Sequence, residues 1–179
     1  MSTGTPGGLA ERRRESQVFT SREFRDAVGA FATGINVITT RSDDVQYGMT
    51  ASAFSSVSLD PPLVLICIGR TSEGSEAISR NGVFAVNVLS AEQEPLSRFF
   101  ASKDRPRGRD AFRSVSHHEA ISGSPLLDGA AACLDCRLAA THDAGDHVIF
   151  IGEVLALHVE PEAEPLLFHG GSYALLRSV

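Results

Sequence analysis

Apolar positions change period several times along the chain, and each change marks an element. Phe24, Val28 and Phe31 recur at helical spacing with Ala27 beside them, and Thr20 and Glu23 stand three apart as a capping box requires. This predicts a helix from Thr20 to about Ala32, ending near Gly34. Ile35 to Thr40 is rich in β-branched residues and reads as a strand. A turn at Arg41-Ser42-Asp43-Asp44 joins it to a returning strand from Val45 to Phe54. Leu63 to Ile68 is continuously apolar, which predicts a strand buried on both faces with Cys67 inert inside it. A short helix follows from Ser72 to Arg80, stopped by Asn81-Gly82. Phe84, Val86 and Val88 alternate with Ala85, Asn87 and Leu89 as another strand, where Asn87 either bonds to backbone or faces a polar site. Ser90 caps a helix that carries Pro95 in its early turns and runs to about Ala101. Ala130 to Ala140 and His147 to Val159 form a hairpin about Ala144-Gly145-Asp146. Leu166 to Phe168 is a last short strand, and His169 to Tyr173 closes the domain. Residues 1–18 read as a mobile tail and residues 19–179 as a single domain.

The stretch that breaks every period is Gly48 to Leu63, GMTASAFSSVSLDPPL. It sets small hydroxyl residues between single apolar ones, on a strand and the loop after it. Buried hydroxyls each need a partner, so the run makes a poor core. It reads either as a surface strand with a serine-rich turn, or as a polar cradle whose small side chains let backbone amides approach a ligand. Ser102 to Arg113 likewise has two readings. Lys103, Arg105, Arg107, Arg109 and Arg113 form either a solvated basic loop or an anion site for a phosphate or pyrophosphate.

Composition narrows the classes. A net charge of −6 argues against a general nucleic-acid binder, and no apolar run is long enough to span a bilayer. Three cysteines and no apolar segment after Arg12-Arg13-Arg14 fit a reduced, cytoplasmic protein without a targeting signal. Cys133 and Cys136 form a CxxC, but no second ligand pair stands at zinc spacing. Inside a strand, side chains three apart point to opposite faces, so the pair reads as structural. His117-His118 reads as an exposed loop, and no metal site is expected. The chain has no GxGxxG, no P-loop and no GxSxG elbow, so a bound nucleotide would need another kind of cradle.

Seven pieces, in order, carry a resemblance: ATGINVITT (Ala32 to Thr40), GMTASAFSSVSLDPPLVLICI (Gly48 to Ile68), FAVNVL (Phe84 to Leu89), FASK (Phe100 to Lys103), LDGAAACLDCRL (Leu127 to Leu138), GDHVIFIGEV (Gly145 to Val154) and PLLFHGGSY (Pro165 to Tyr173). Together they resemble the short-chain flavin reductase family over roughly residues 20 to 176. The resemblance implies a mainly β fold with flanking helices, a six-stranded antiparallel split barrel, assembled as a homodimer. It implies that NADH or NADPH reduces FAD or FMN, and that the reduced flavin leaves for a partner flavin-dependent monooxygenase.

Carried onto this sequence, Thr50, Ala51, Ser52 and Ala53 would border the isoalloxazine, and Met49 would be a cofactor-binding residue beside them. Ser55, Ser56 and Ser58 would reach the ribityl chain and phosphate, and Lys103 would approach the phosphate. Gly145, Asp146 and His147 would face the nicotinamide, and Tyr173 would close the cofactor site. The family often has YRGxY before the last tyrosine. Here Phe168 to Tyr173 reads FHGGSY, with a glycine where that pattern has its arginine.

Hydride transfer from nicotinamide C4 to flavin N5 asks the protein for geometry and hydrogen bonds more than for a base. Donors of residues 50 to 56 would stabilise charge on the reduced ring. His147 is the candidate catalytic residue, orienting nicotinamide or supplying a proton; its other reading is a strand-end histidine bonded to Asp146 or backbone. Two rival functions stay open: a flavin- or haem-binding barrel without reductase activity, and an oxidase of the pyridoxamine-phosphate type.

Overall fold

Alternation along the chain becomes a row of seven antiparallel strands. The computed structural model describes residues 18–42 and 45–177. Within them the sheet strands are β2 (Asn36–Ser42), β3 (Val45–Ala51), β4 (Phe54–Leu59), β5 (Pro62–Gly69), β6 (Val83–Val88), β9 (Ala132–Ala144) and β10 (His147–Val159). Their order across the sheet is β3-β2-β6-β9-β10-β5-β4. A three-stranded sheet combines β1 (Thr33–Gly34), β11 (Leu167–His169) and β12 (Ser172–Ala174), and β7 (His117–Glu119) pairs with β8 (Pro125–Leu127). The helices are α1 (Ser21–Gly29), α2 (Glu73–Asn81), α3 (Glu94–Ala101) and the short α4 (Arg109–Phe112).

One core holds the row together. Ile38, Ile66, Ile68, Ile78, Phe84, Val86, Cys136 and Phe150 are buried in one cluster. Met49 and Ala51 of β3 and Phe54 of β4 pack against that same cluster, so the two end strands of the sheet curl towards each other around it. No ladder joins them among the described residues. Gly152 lets β10 press onto the core, because a Cβ there would stand 2.4 Å from Phe84 Cζ. A second cluster, with Val37, Leu89, Phe100, Phe112, Leu127 and Leu166, lies under α3, α4 and β11.

The capping box of Thr20 and Glu23 forms as read, and the helix read over Ser72 to Arg80 is α2, with Ser72 as its N-cap and Gly82 as its left-handed C-cap. Ser90 opens a 3-10 turn, Ala91–Gln93, and Pro95 then sits at the start of α3. Asn87 is fully buried and bonds to backbone as one of its two readings had it. Its Nδ2 donates to Val37 O at 3.0 Å and its Oδ1 accepts from Leu127 N at 2.8 Å. Those bonds tie the β8 strap across the sheet.

Several expectations are corrected. The strand count is seven, not the six of the implied barrel, because the strand expected over Val45 to Phe54 breaks at Ser52-Ala53 and β4 begins at Phe54. The serine run therefore lies on two strands, and its second half is a sheet edge rather than a loop. α1 stops at Gly29, three residues short of Ala32, and its apolar Phe24 and Val28 are 53% and 52% exposed. β5 is buried on one face only: Val64, Ile66 and Ile68 face the core, while Cys67 stands half-buried on the other side. The His117-His118 pair lies on a strand, with His118 Nδ1 2.7 Å from Asp128 Oδ1. Residues 1–17 of the predicted 1–18 tail and the Asp43-Asp44 turn tip lie outside the described residues, and Val18 is exposed.

Replacing Asn87 by Ala strands the Leu127 amide in the interior. Asn87→Ala is expected to cost about 2–3 kcal/mol, read as a lower denaturation midpoint in urea.

Candidate functional site

A missing side chain sets the site. Gly48 lies buried on β3, and a Cβ there would come within 2.5 Å of Phe100 Cε1 and 3.0 Å of Phe112 Cζ. Without one, the two rings seat α3 and α4 directly on the strand. The basic loop between those helices is thereby brought down over β3. Arg105 donates to Gly48 O at 2.8 Å, Tyr47 Oη at 3.2 Å and Ser102 O at 2.6 Å, and its guanidinium lies 5.5 Å from the Tyr47 ring centroid. Gly74, at the start of α2, packs closely on Met49 and Tyr47 from the other side.

Between these pieces lies a cleft of about 340 Å³. Its walls are Tyr47 and Gly48 of β3, Thr71 and Ser72 before α2, and Lys103 and Arg105 of the loop. Arg107 lines it too, held to Glu73 at 2.5 Å. The volume suits a small-molecule ligand, and three cations beside the N-terminal end of α2 suit an anionic group on it.

The chain leaves the cleft wall through Arg70 and reaches the hairpin tip. His147 pairs with Gly69 across β10 and β5. Arg70 donates from its backbone to Asp146 O at 2.9 Å, and from Nε and Nη2 to Gly145 O at 3.2 and 3.1 Å. Its Nη1 meets Asp143 Oδ1 at 2.6 Å. At the tip Gly145 takes a φ of 66°, and His147 Nδ1 lies 2.8 Å from Asp146 Oδ1. That bond and the charge of His147 hold the Asp146 carboxyl below its ordinary value.

The sequence-derived residues fall into separate groups. Lys103 is the one among them that lines the cleft. Met49 is half-buried against the core, and the Thr50 hydroxyl donates to Ser97 O at 2.7 Å, so it is engaged within the fold. Ala51 O accepts from Asn36 Nδ2, and Ser52 and Ala53 are the exposed link between β3 and β4. Cys67 N donates to Ala53 O at 3.1 Å, one strand away from β10. With strands about 4.8 Å apart and residues about 3.3 Å along them, Ala53 and His147 stand roughly 12 Å apart at one end of the sheet. Ser55 and Ser56 are exposed on β4 and Ser58 is half-buried, none of them in the cleft. Tyr173 lies on β12 with its hydroxyl 2.9 Å from Ser97 Oγ, and Arg98 stacks on its ring at 4.7 Å. Ser97 thus links Thr50 and Tyr173. Among the described residues, no group of three or more His, Cys, Asp or Glu is placed to hold a metal, and no helix is long and apolar enough to cross a membrane.

Sequence reasoning missed the particular roles of Arg70 and Arg105. The visible signals were a basic residue directly after a buried strand and a cluster of arginines after FASK.

Residues 28–177 match the flavin reductase like domain. The chain belongs to that family. It is 43% identical over 152 residues to the reductase subunit HsaB of a flavin-dependent monooxygenase from Rhodococcus jostii, covering 85% of this chain and 76% of that one. It is 44% identical over 156 residues to the NADH-dependent FMN reductase AsuE2 of Streptomyces nodosus, covering 87% and 84%. Among solved structures, the Streptomyces globisporus NADH:FAD oxidoreductase SgcE6 superposes with a TM-score of 0.84 at 39% identity, covering 90% of this chain and 96% of that one.

In this flavin reductase-like chain the CxxC is structural. Cys133 and Cys136 are buried in different clusters on opposite faces of β9. Burial pushes the Cys133 thiol up to about 11 and the Cys136 thiol up to about 12. Both thiols favour the folded state only while protonated. Their contribution is complete below the ordinary thiol range near pH 9 and erodes as pH rises from there through 11 and 12. Stability measured by denaturant titration is expected to fall over that window, and less steeply in Cys133→Ala/Cys136→Ala. Iodoacetamide at pH 8 is expected to leave both thiols unmodified in native protein and to label them after unfolding.

Proposed function

We propose that the protein is an NAD(P)H:flavin oxidoreductase that reduces FAD or FMN and releases the reduced flavin to a partner flavin-dependent monooxygenase. One observation carries this reading: the Gly69-to-Ser72 segment lines the cation-bearing cleft with Thr71 and Ser72 and, through Gly69 and Arg70, anchors the Gly145-Asp146-His147 tip. A phosphate-bearing ring and a nicotinamide therefore have adjacent places. The relatives point the same way, one being named an NADH-dependent FMN reductase and one an NADH:FAD oxidoreductase.

The residues present fit a flavin. Lys103, Arg105 and Arg107 are the donor set for its phosphate, and Gly48 keeps the cleft wall to bare backbone. The short Met49 to Ala53 segment, with Ser52 and Ala53 open to solvent, would border the ring, and Ser55, Ser56 and Ser58 extend the polar surface along β4. When bound, nicotinamide and flavin supply the hydride donor and acceptor. The protein supplies their alignment. A carboxylate only accepts, so a His147 proton on Nδ1 would be held by Asp146, and Nε2 would be the nitrogen left to meet the nicotinamide amide. Tyr173 steadies α3 through Ser97.

We further read the chain as one domain from residue 19, a split barrel paired as a homodimer in the cytoplasm. Phe24, Val28 and Phe31 of the α1 region, and Leu59, Leu157 and Val159 at the far ends of β4 and β10, are exposed apolar surface that a second copy would cover. Three free cysteines accord with a reducing compartment.

The deciding experiment is oxidation of NADH and NADPH with FAD, FMN or no flavin added. Turnover that saturates with added flavin is expected. Flavin binding without turnover for any pair would establish the binding-only alternative. His147→Ala is expected to slow flavin reduction by about tenfold or more with the thermal midpoint unchanged, and unchanged reduction would remove His147 from the mechanism. Because the product must leave, the purified protein is expected to carry less than one flavin per chain, measured by absorbance after denaturation.

A further inference from the structure

We infer that Arg70 is a positioning residue for hydride transfer, a clamp that fixes the nicotinamide-facing tip relative to the flavin cleft. The inference rests on the proposed reductase reading of that tip.

The β9–β10 hairpin outruns the sheet on one side. β6 pairs with β9 only as far as Val83 opposite Arg137, with one further bond from Leu138 N to Gly82 O. From Ala140 to Ala144, β9 has β10 as its ladder partner and, among the described residues, no strand on its outer edge. On the other side, β5 follows β10 up to His147, where it pairs with Gly69 and ends. Arg70 is the next residue, and its reach extends past the last ladder pair.

Its contacts are spread over the tip. Asp146 O accepts its backbone N–H, Gly145 O accepts from both Nε and Nη2, His147 O accepts from Nη2 at 3.4 Å, and Asp143 takes Nη1. Three successive carbonyls and one carboxylate are thus held by one residue. A guanidinium can do this because its donors form a rigid planar fork, whereas an ammonium is a single point. The carbonyls belong to the residues that set the His147 ring, whose own partner is the adjacent Asp146. In the other direction Arg70 continues without a break into Thr71 and Ser72, which line the cleft. Beyond the last β5–β10 ladder pair, the two halves of the site are therefore held together by Arg70, whose side chain itself lines neither the cleft nor the core.

An exposed arginine at a strand end contributes little to global stability. Its effect should appear in alignment. In Arg70→Ala, FMN affinity and the denaturation midpoint are expected to match the parent protein. NAD⁺ affinity, measured by calorimetry on the FMN complex, and the rate of flavin reduction are expected to fall by about tenfold to a hundredfold. With NADH deuterated at C4, the isotope effect on turnover should grow as the transfer step becomes limiting. Arg70→Lys should restore little, and Arg70→Ala/His147→Ala should be no slower than His147→Ala alone, since both act through one tip. Full rescue by lysine, additive losses, or parallel loss of FMN binding would overturn the inference. Arg70→Ala at parental values with a slow His147→Ala would also overturn it, leaving the reductase reading of the tip intact. Both variants at parental values would overturn that reading itself.

Discussion

The antiparallel register of β5 against β10 is the constraint on which the site depends. It pairs Gly69 with His147 and Ile66 with Phe150, and so fixes which faces of both strands enter the core. A slip of one residue would turn Val148 and Phe150 outward and bring Ile149 and Ile151 in. The same slip would carry Arg70 away from the carbonyls it holds and move the hairpin tip relative to the cleft wall. Core packing and site geometry are thus two results of one alignment, with the buried face of β5 supplying the free energy that holds it.

Local signals were legible where one short stretch decides the outcome. Thr20 with Glu23, Ser72 before α2, Gly82 after it and Gly145 in the hairpin all do what their chemistry suggests. The serine run was harder. Its hydroxyls have no period, and nothing local shows that β4 is an edge strand whose Ser55 and Ser56 stay in water, so one strand was read where two exist. The exposed face of α1 shows the limit of amphipathic pattern: Phe24, Val28 and Phe31 recur as a buried stripe would, yet among the described residues nothing covers them fully.

The site itself was partly legible. The basic cluster after FASK lies on the loop that walls the cleft, and GDH lies at the hairpin tip that Arg70 holds. What could not be read was which cation grips backbone. Arg105 reaches Gly48, and Arg70 reaches Gly145, only because Phe100 and Phe112 can sit on a bare glycine and because two distant strands end level with each other. Such contacts cross 57 and 75 positions of sequence, beyond any local rule. Buried polar groups show the same division. Asn87, Asp135 and Ser97 are sealed inside and tie straps or helices to the sheet, whereas the candidate ligand contacts lie in accessible clefts and turns.

The placing of the thiols has a consequence for an enzyme that hands out reduced flavin. Free reduced flavin meets dioxygen and yields peroxide, so such a protein works beside an oxidant of its own making. Peroxide attacks thiolates in reach of solvent. Cys133 and Cys136 offer neither charge nor access, and oxidation cannot wedge a polar group into β9 while the sheet stays folded. Burial raises the Cys67 thiol as well, but Cys67 is only half-buried, so ageing of the protein would begin on β5 rather than in its core.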